Sequence, residues 1–404
     1  MKAIYHHRTQ GRDVEAVHIH GICSGLAELG YEVEIVSPPG VTADPNAPVS
    51  AASTKKAGPW SALARRAPQL LFELLELGYN AVALPRLLRR CRAERPALLC
   101  ERYALYNFSG VLAGKLTGTP VVLEVNETAG VDRTRQGKRL VLPRLAEWFE
   151  RRIFAGAAGF VVVSGYLKDH LAAKGVDPRK IRVTPNAVHS SWLENPADGR
   201  RLREQYGFEG CTVVGFAGSF TKWHGVDLLV RAFAALAADR PELRLLLVGD
   251  GARRAHAEAE VAELGLSDRV VFTGRVPHSR MAEHVAAIDI GVMPASNVYG
   301  SPMKVFEYMA LGKPPVAPRY RPLEEALQHE AEGLLFDPED PDGLRAALAR
   351  LVDDPALRAR LGAAARARVS EQHRWVHNAR VVESLALGAD RPATTPAVAE
   401  AQQA

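Results

Sequence analysis

The chain has 404 residues, 47% of them hydrophobic and 24% charged, a composition that excludes a disordered chain and fits a folded globular one. That length exceeds one ordinary core and predicts two domains of about 150 to 200 residues each. A formal net charge of +5, from 51 basic against 46 acidic residues, comes without clustered Lys/Arg and interleaved aromatics, so no nucleic-acid partner is expected.

The N-terminal MKAIYHH enters a strand at Lys2 to His6 without a basic n-region or apolar h-region, so a secretory leader is not expected. Nor does any run reach the roughly 18 apolar residues of a transmembrane helix. The loop His6 to Arg12 is polar, contains Gly11 and feeds a helix from about Val14 to Leu29, where a diphosphate could touch Gly11 and Arg12. His18, one turn after Val14, reads as a satisfied core histidine, with an acceptor contact as the alternative.

Cys23, Cys91, Cys100 and Cys211 are scattered, without Cys-x-x-Cys spacing, and no histidine cluster has metal-ligand intervals. Reduced thiols and a cytoplasmic location follow, and no metal is expected. Residues 60–95 form an apolar run flanked and interrupted by arginines. It reads as a helix pair packed on the sheet or, alternatively, as a peripheral contact with the inner face of a membrane.

β-rich runs continue at Glu32 to Val36, Ala97 to Cys100, Pro120 to Val125, Phe160 to Ser164 and Ile181 to Thr184, alternating with helical stretches. This is a βαβ series, hence a helix-covered parallel sheet. A second series follows at Thr212 to Ala217, Leu243 to Gly249, Val270 to Thr273, Ile290 to Met293 and Pro315 to Ala317. The fold class is therefore α/β, with two doubly wound, Rossmann-like domains.

Ligands of such sheets bind beyond the carboxyl ends of the strands. Glycine-bearing loops stand there at Gly218 to Gly225, Gly249 to Gly251, Gly274 to His278 and Pro294 to Ser301. Single glycines are often turns, but four on one edge suggest backbone approaching a ligand. The segment SPMKVFEYMALG, Ser301 to Gly312, carries the sharpest signal. Pro302 suits a first helical turn and Gly312 a helix end, and Lys304 and Glu307 share a face. The open amides near Met303 and Lys304 would face an anion, while the carboxylate one turn later would accept hydroxyls. That pair of demands fits a phosphate and a ribose.

The ordered set VVVSGYLKDHL, IRVTPNAV, GFAGSFTKWHGVDLLVRAF, LLLVGDG, VVFTGRVPH, IDIGVMP and SPMKVFEYMALGKPPVAP resembles the retaining glycosyltransferases of family 4, glycosyl transferases group 1. The resemblance implies the GT-B arrangement, two Rossmann-like domains facing a central cleft. It implies residues 1–190 as the acceptor-binding domain, 191–372 as the nucleotide-sugar domain, a C-terminal helix over 373–389 crossing back, and a disordered tail over 390–404. Glu307 becomes the ribose ligand, and Lys304 with the amides of Ser301 and Met303 the diphosphate and sugar ligands. Gly218, Ser219 and Gly249 join the donor loops, and backbone near Arg275 and Val276 meets the base edge.

Three departures stand out. Tyr299 occupies the first place of a usual glutamate pair, Ser219 stands for an arginine, and His224 for a lysine. SFxxWHG with YxSPxKxFEYMA resembles one branch of the family, in which Lys304, with Lys222 and His224, would supply the missing positive charge. A His224 stacked on Trp223 and a solvated Lys222 are the plain alternatives. The end of PVVLEV makes Glu124 and Asn126 candidates for holding the donor sugar or acceptor. Glu101, Arg102 and Tyr103 read as acceptor wall or as a buried Glu101–Arg102 ion pair.

The implied activity is transfer of a sugar from a nucleoside diphosphate sugar to a sugar, lipid-linked or natural-product acceptor, with retention and without a metal. An epimerase or pseudo-glycosyltransferase on the same fold, and a non-catalytic nucleotide-sugar binder, are the alternatives.

Overall fold

The computed structural model describes residues 1–9, 13–43, 69–126, 128 and 140–388. The expectations for Gly11, Arg12 and the 390–404 tail lie outside the described residues, as does the 60–68 part of the arginine-flanked run.

Two six-stranded sheets are built from the aliphatic runs. The first comprises β1 (Lys2–His6), β2 (Glu32–Val36), β3 (Leu98–Arg102), β4 (Val121–Val125), β5 (Gly159–Val162) and β6 (Ile181–Val183), in the order β2-β1-β3-β4-β5-β6. The second comprises β7 (Thr212–Ala217), β8 (Leu243–Val248), β9 (Val270–Gly274), β10 (Ile290–Val292), β11 (Pro315–Pro318) and β12 (Leu334–Phe336), in the order β12-β11-β10-β7-β8-β9. Every pairing within the sheets is parallel. Central strands such as β4 and β8 are apolar almost throughout because helices cover both faces. β12 was not foreseen.

Within the 60–95 run, the helix Asn80–Glu94 buries Leu87 and Cys91 in the first core, with Leu84 and Leu88 packed against it, as the packing alternative requires. The preceding helix, Gln69–Gly78, buries only Glu73. Among the described residues, no helix is long and apolar enough to cross a membrane.

The chain leaves the first domain after Val188 and returns at Arg374, and these two residues pair in a parallel bridge. The final helix, Trp375–Leu387, then lies along the helix Asp13–Glu28. Their approach is close because a Cβ on Gly21 would stand 2.2 Å from Trp375 Cε2, and one on Gly25 2.3 Å from the Trp375 carbonyl. Trp375, Ala379 and Val382 complete a core with Tyr5, Ile19, Ile22 and Leu26.

Candidate active site

In the second sheet the strand order reverses between β7 and β10, so the loops after Ala217 and Val292 border the crevice where a ligand is expected. The helix Met303–Ala310 begins beside it. Tyr308 anchors this helix to both strands: its hydroxyl accepts the Ala217 N–H at 2.8 Å and lies 3.4 Å from the Val292 carbonyl. Pro302 is the N-cap and not a first-turn residue, and no side chain caps the helix. Val305 N–H donates to the Pro302 carbonyl at 3.3 Å, and the amides of Met303 and Lys304 are left for another partner.

Lys304 and Glu307, one turn apart, are each 9% exposed, and among the described residues neither side chain has a hydrogen-bond partner. Lys304 Nζ lies 4.9 Å from the centroid of the Phe216 ring. Gly218, at φ 151°, makes room for this side chain, since a Cβ there would stand 2.9 Å from Lys304 Cε. Burial lowers the Lys304 pKa to about 8, against the pull of Glu307, and burial raises Glu307 to about 7, against the pull of Lys304. Both charges are thus held at a cost that an anion and hydroxyl groups would relieve.

The surrounding loops interlock. Gly249 N–H donates to the Gly274 carbonyl at 3.0 Å, and a Cβ on Gly249 would lie 1.9 Å from the Gly218 carbonyl. The bare Cα of Gly249 therefore lets this loop close against the expected donor loop at Gly218. His224 is buried, its Nδ1 2.5 Å from the Ser219 carbonyl and 3.3 Å from Ser219 Oγ, and its ring lies 3.7 Å from that of Trp223. The carbonyl requires the proton on Nδ1. Burial, then the Lys304 charge, lowers the His224 pKa to about 3, which favours a neutral ring stacked on Trp223, the plain alternative. Lys222 is exposed on the short turn Lys222–His224.

At the end of β9, Arg275 is exposed and Val276 packs half-buried on the second core. Tyr299 turns toward the first domain: its ring lies 6.3 Å from Tyr166, and its carbonyl accepts the Ser164 hydroxyl at 2.7 Å. Met303 packs against the cluster containing Tyr5 and Trp375, which brings the helix mouth onto the first domain.

In that first domain the strand order reverses between β1 and β3. Glu101 and His6, both fully buried, approach to 3.5 Å, and Asn107 Nδ2 donates to Glu101 at 2.8 Å. Arg102 instead donates to Glu124 Oε1 at 2.6 Å. The alternative of a Glu101–Arg102 pair is therefore not realised, because successive strand residues point to opposite faces, although Arg102 does form a buried ion pair with Glu124.

Glu124, 4% exposed, also accepts from the Tyr5 hydroxyl and from Asn126 Nδ2 at 2.7 Å, with His18 Nδ1 at 3.3 Å. Burial alone would raise its pKa, but Arg102, His18 and Tyr5 hold it well below the usual carboxylate range. Four donors meet a carboxylate with about four lone-pair positions, so Glu124 is a buried anchor with little capacity left for a substrate. Its neighbour Asn126 keeps Oδ1 buried and unpaired among the described residues. His18 is the satisfied histidine expected, its ring edge-on to Trp375 at 5.4 Å.

Sequence reading missed Tyr5, Ser164 and Asn186, whose partners lie far along the chain. Asn186 stood in view only as part of IRVTPNAV. Among the described residues, Asp227, His256 and Glu260 could surround a metal ion, but Arg253 and Arg231 already engage Asp227 and Glu260.

Two family models match the chain: a glycosyl transferase 4-like domain over residues 15–187 and glycosyl transferases group 1 over residues 198–368. The chain is 29% identical to a D-inositol 3-phosphate glycosyltransferase of Pseudarthrobacter chlorophenolicus, across 93% of this chain and 90% of that protein. It is 32% identical to a 2-deoxystreptamine glucosyltransferase of Streptomyces kanamyceticus across 61% of this chain, a match that spans 65% of that protein's own length. In three dimensions it resembles Anabaena Alr3699/HepE, crystallised with UDP, with a TM-score of 0.69 at 17% identity, covering 95% of this chain and 99% of the other. A glycosyltransferase from Rickettsia africae gives a TM-score of 0.70 at 16% identity, covering 96% and 100%. These likenesses establish the GT-B fold.

Proposed function

Because the chain belongs to the glycosyl transferases group 1 family, we propose that it is a retaining, metal-independent hexosyltransferase acting from a nucleoside diphosphate sugar on an acceptor hydroxyl. The observation that carries this reading is the uncapped mouth of the helix Met303–Ala310, where a buried ammonium and a buried carboxylate stand one turn apart without hydrogen-bond partners among the described residues.

Breaking the glycosyl–phosphate bond builds positive character at the anomeric carbon and negative charge on the departing diphosphate. Lys304 and the amides of Met303 and Lys304 are pre-oriented to receive that negative charge. The acceptor oxygen bonds to the anomeric carbon on the face the phosphate leaves, and the phosphate oxygen takes the acceptor's proton. No enzymic base is required. An ammonium and amides at the diphosphate position supply the charge that a metal ion would otherwise bring.

Calorimetry with UDP and GDP tests the site. The wild-type protein is expected to bind at least one of them, and Glu307→Ala to weaken that binding by about tenfold or more through loss of the ribose contacts. An unchanged affinity would remove the ribose assignment. A bound diphosphate favours charged Lys304, so binding at pH 8 to 9 is expected to take up protons, read in buffers of different ionisation enthalpy. Binding without uptake there would place the anion away from Lys304.

A peripheral contact with an anionic bilayer belongs to the same proposal. The helix Gln69–Gly78 exposes Leu70, Leu71 and Leu74, and the helix Pro143–Ala155 exposes Leu145 and Trp148. Glu73 joins the two by accepting the Val141 N–H at 2.7 Å; Arg152 lies over the Trp148 ring at 5.3 Å, and the exposed Arg144 and Arg151 stand about one helical turn from it. An exposed tryptophan with arginines on the same helix suits acidic headgroups. Co-sedimentation with phosphatidylglycerol vesicles is expected, with loss in Trp148→Glu; equal recovery with neutral vesicles would remove the charge argument.

A further inference from the structure

We infer that Asn186, in the first domain, is a positioning residue for the diphosphate site of the second, an inference that rests on the functional reading above. The segment Pro185–Val188 is fixed to the terminal helix and its approach. Asn378 Nδ2 donates to the Pro185 carbonyl at 2.9 Å, Val188 N–H to the His373 carbonyl at 2.9 Å, and Trp375 N–H to the Val188 carbonyl at 3.2 Å. From this fixed segment Asn186, 3% exposed, makes two bonds to Ser301: its backbone N–H donates to Ser301 Oγ at 3.0 Å, and its Nδ2 donates to the Ser301 carbonyl at 2.5 Å.

Each bond has a consequence for an anion at the helix mouth. Ser301 Oγ accepts from Asn186, so its own proton remains available to donate. The Ser301 carbonyl, engaged by the amide, is held from turning its negative end toward the phosphates. Pro302 follows, with no N–H and a restricted φ, so the peptide that Asn186 grips leads rigidly into the first-turn amides. Asn186 Oδ1 is buried and has no partner among the described residues, which leaves an acceptor for a ligand hydroxyl.

The test compares UDP and GDP with uridine and guanosine by calorimetry and ligand-detected NMR, alongside unliganded melting. Asn186→Ala is expected to weaken diphosphate binding about tenfold and leave nucleoside binding within twofold. Asn186→Asp, which cannot donate to the carbonyl and adds a negative charge, is expected to weaken it further. Ser301→Ala provides an independent variant with the same selective loss should Asn186 variants fold poorly. Unchanged diphosphate affinity, or a parallel fall for nucleoside and diphosphate as a merely structural role would give, overturns the inference. Lys304→Met in the same series separates the two levels. If Lys304→Met weakens diphosphate binding and the Asn186 and Ser301 variants do not, only the positioning role fails. If Lys304→Met has no effect, or wild type binds neither diphosphate, the functional reading fails and this inference with it.

Discussion

Lys304→Met is expected to lower kcat by about two to three orders of magnitude, the scale seen when one pre-oriented group that stabilises transition-state charge is removed. Fold and melting temperature should survive. The ammonium is 9% exposed, has no carboxylate hydrogen-bonded to it, and has its pKa lowered to about 8 by burial, so its charge opposes folding and does not support it. Methionine fills the channel beside Phe216 and Gly218 without that charge. Steady-state kinetics with a melting scan decides the matter. A fall of less than tenfold in kcat would mean that the departing diphosphate is held by something else, and a large loss of melting temperature would make Lys304 a structural residue.

Glu124→Ala is expected to act in the opposite way, with the main damage in stability. Removing this carboxylate strands Arg102, whose side chain is 13% exposed, and unpairs Tyr5, His18 and Asn126 together. Breaking one partner of a buried ion pair costs about 3–5 kcal/mol, enough to bring a marginally stable domain near unfolding at physiological temperature. Denaturant titration of Glu124→Ala reads it directly. Arg102→Leu combined with Glu124→Leu should cost less than the sum of the single replacements, because no charge is then stranded. Because the partners hold the folded-state pKa of Glu124 below the unfolded one, its contribution is full above about pH 4.5 and is lost as the pH falls below that. A pH-independent difference between wild type and Glu124→Gln from pH 3 to 7 would count against this account.

The contrast between these two sites explains how much could be read from the chain. Lys304 and Glu307 were legible because everything that pairs them is local: a proline, a glycine and a helical spacing within twelve residues. Most strands were legible because burial on both faces writes them as runs of aliphatic residues, and β12 was the one not foreseen. The Glu124 network draws on positions 5, 18, 102, 124 and 126, which no local pattern connects. Adjacency suggested that Glu101 pairs with Arg102, yet strand alternation sends one to His6 and the other to Glu124. The charge of His224 was not legible either, since it depends on burial against Trp223 and Phe216 and on the Ser219 carbonyl.

The terminal helix bears on how the protein is made. Trp375, Ala379 and Val382 belong to the same core as Tyr5 and Ile19, so the segment around Tyr5 and Ile19 lacks one wall until about 350 later residues have been translated. At 5–20 residues per second that wait is roughly twenty to seventy seconds, during which the groove along Gly21 and Gly25 stays open to other apolar segments. A nascent chain stalled before residue 370 should bind holdase chaperones strongly and remain protease-sensitive. One stalled well beyond residue 404, with the helix clear of the exit tunnel, should release them.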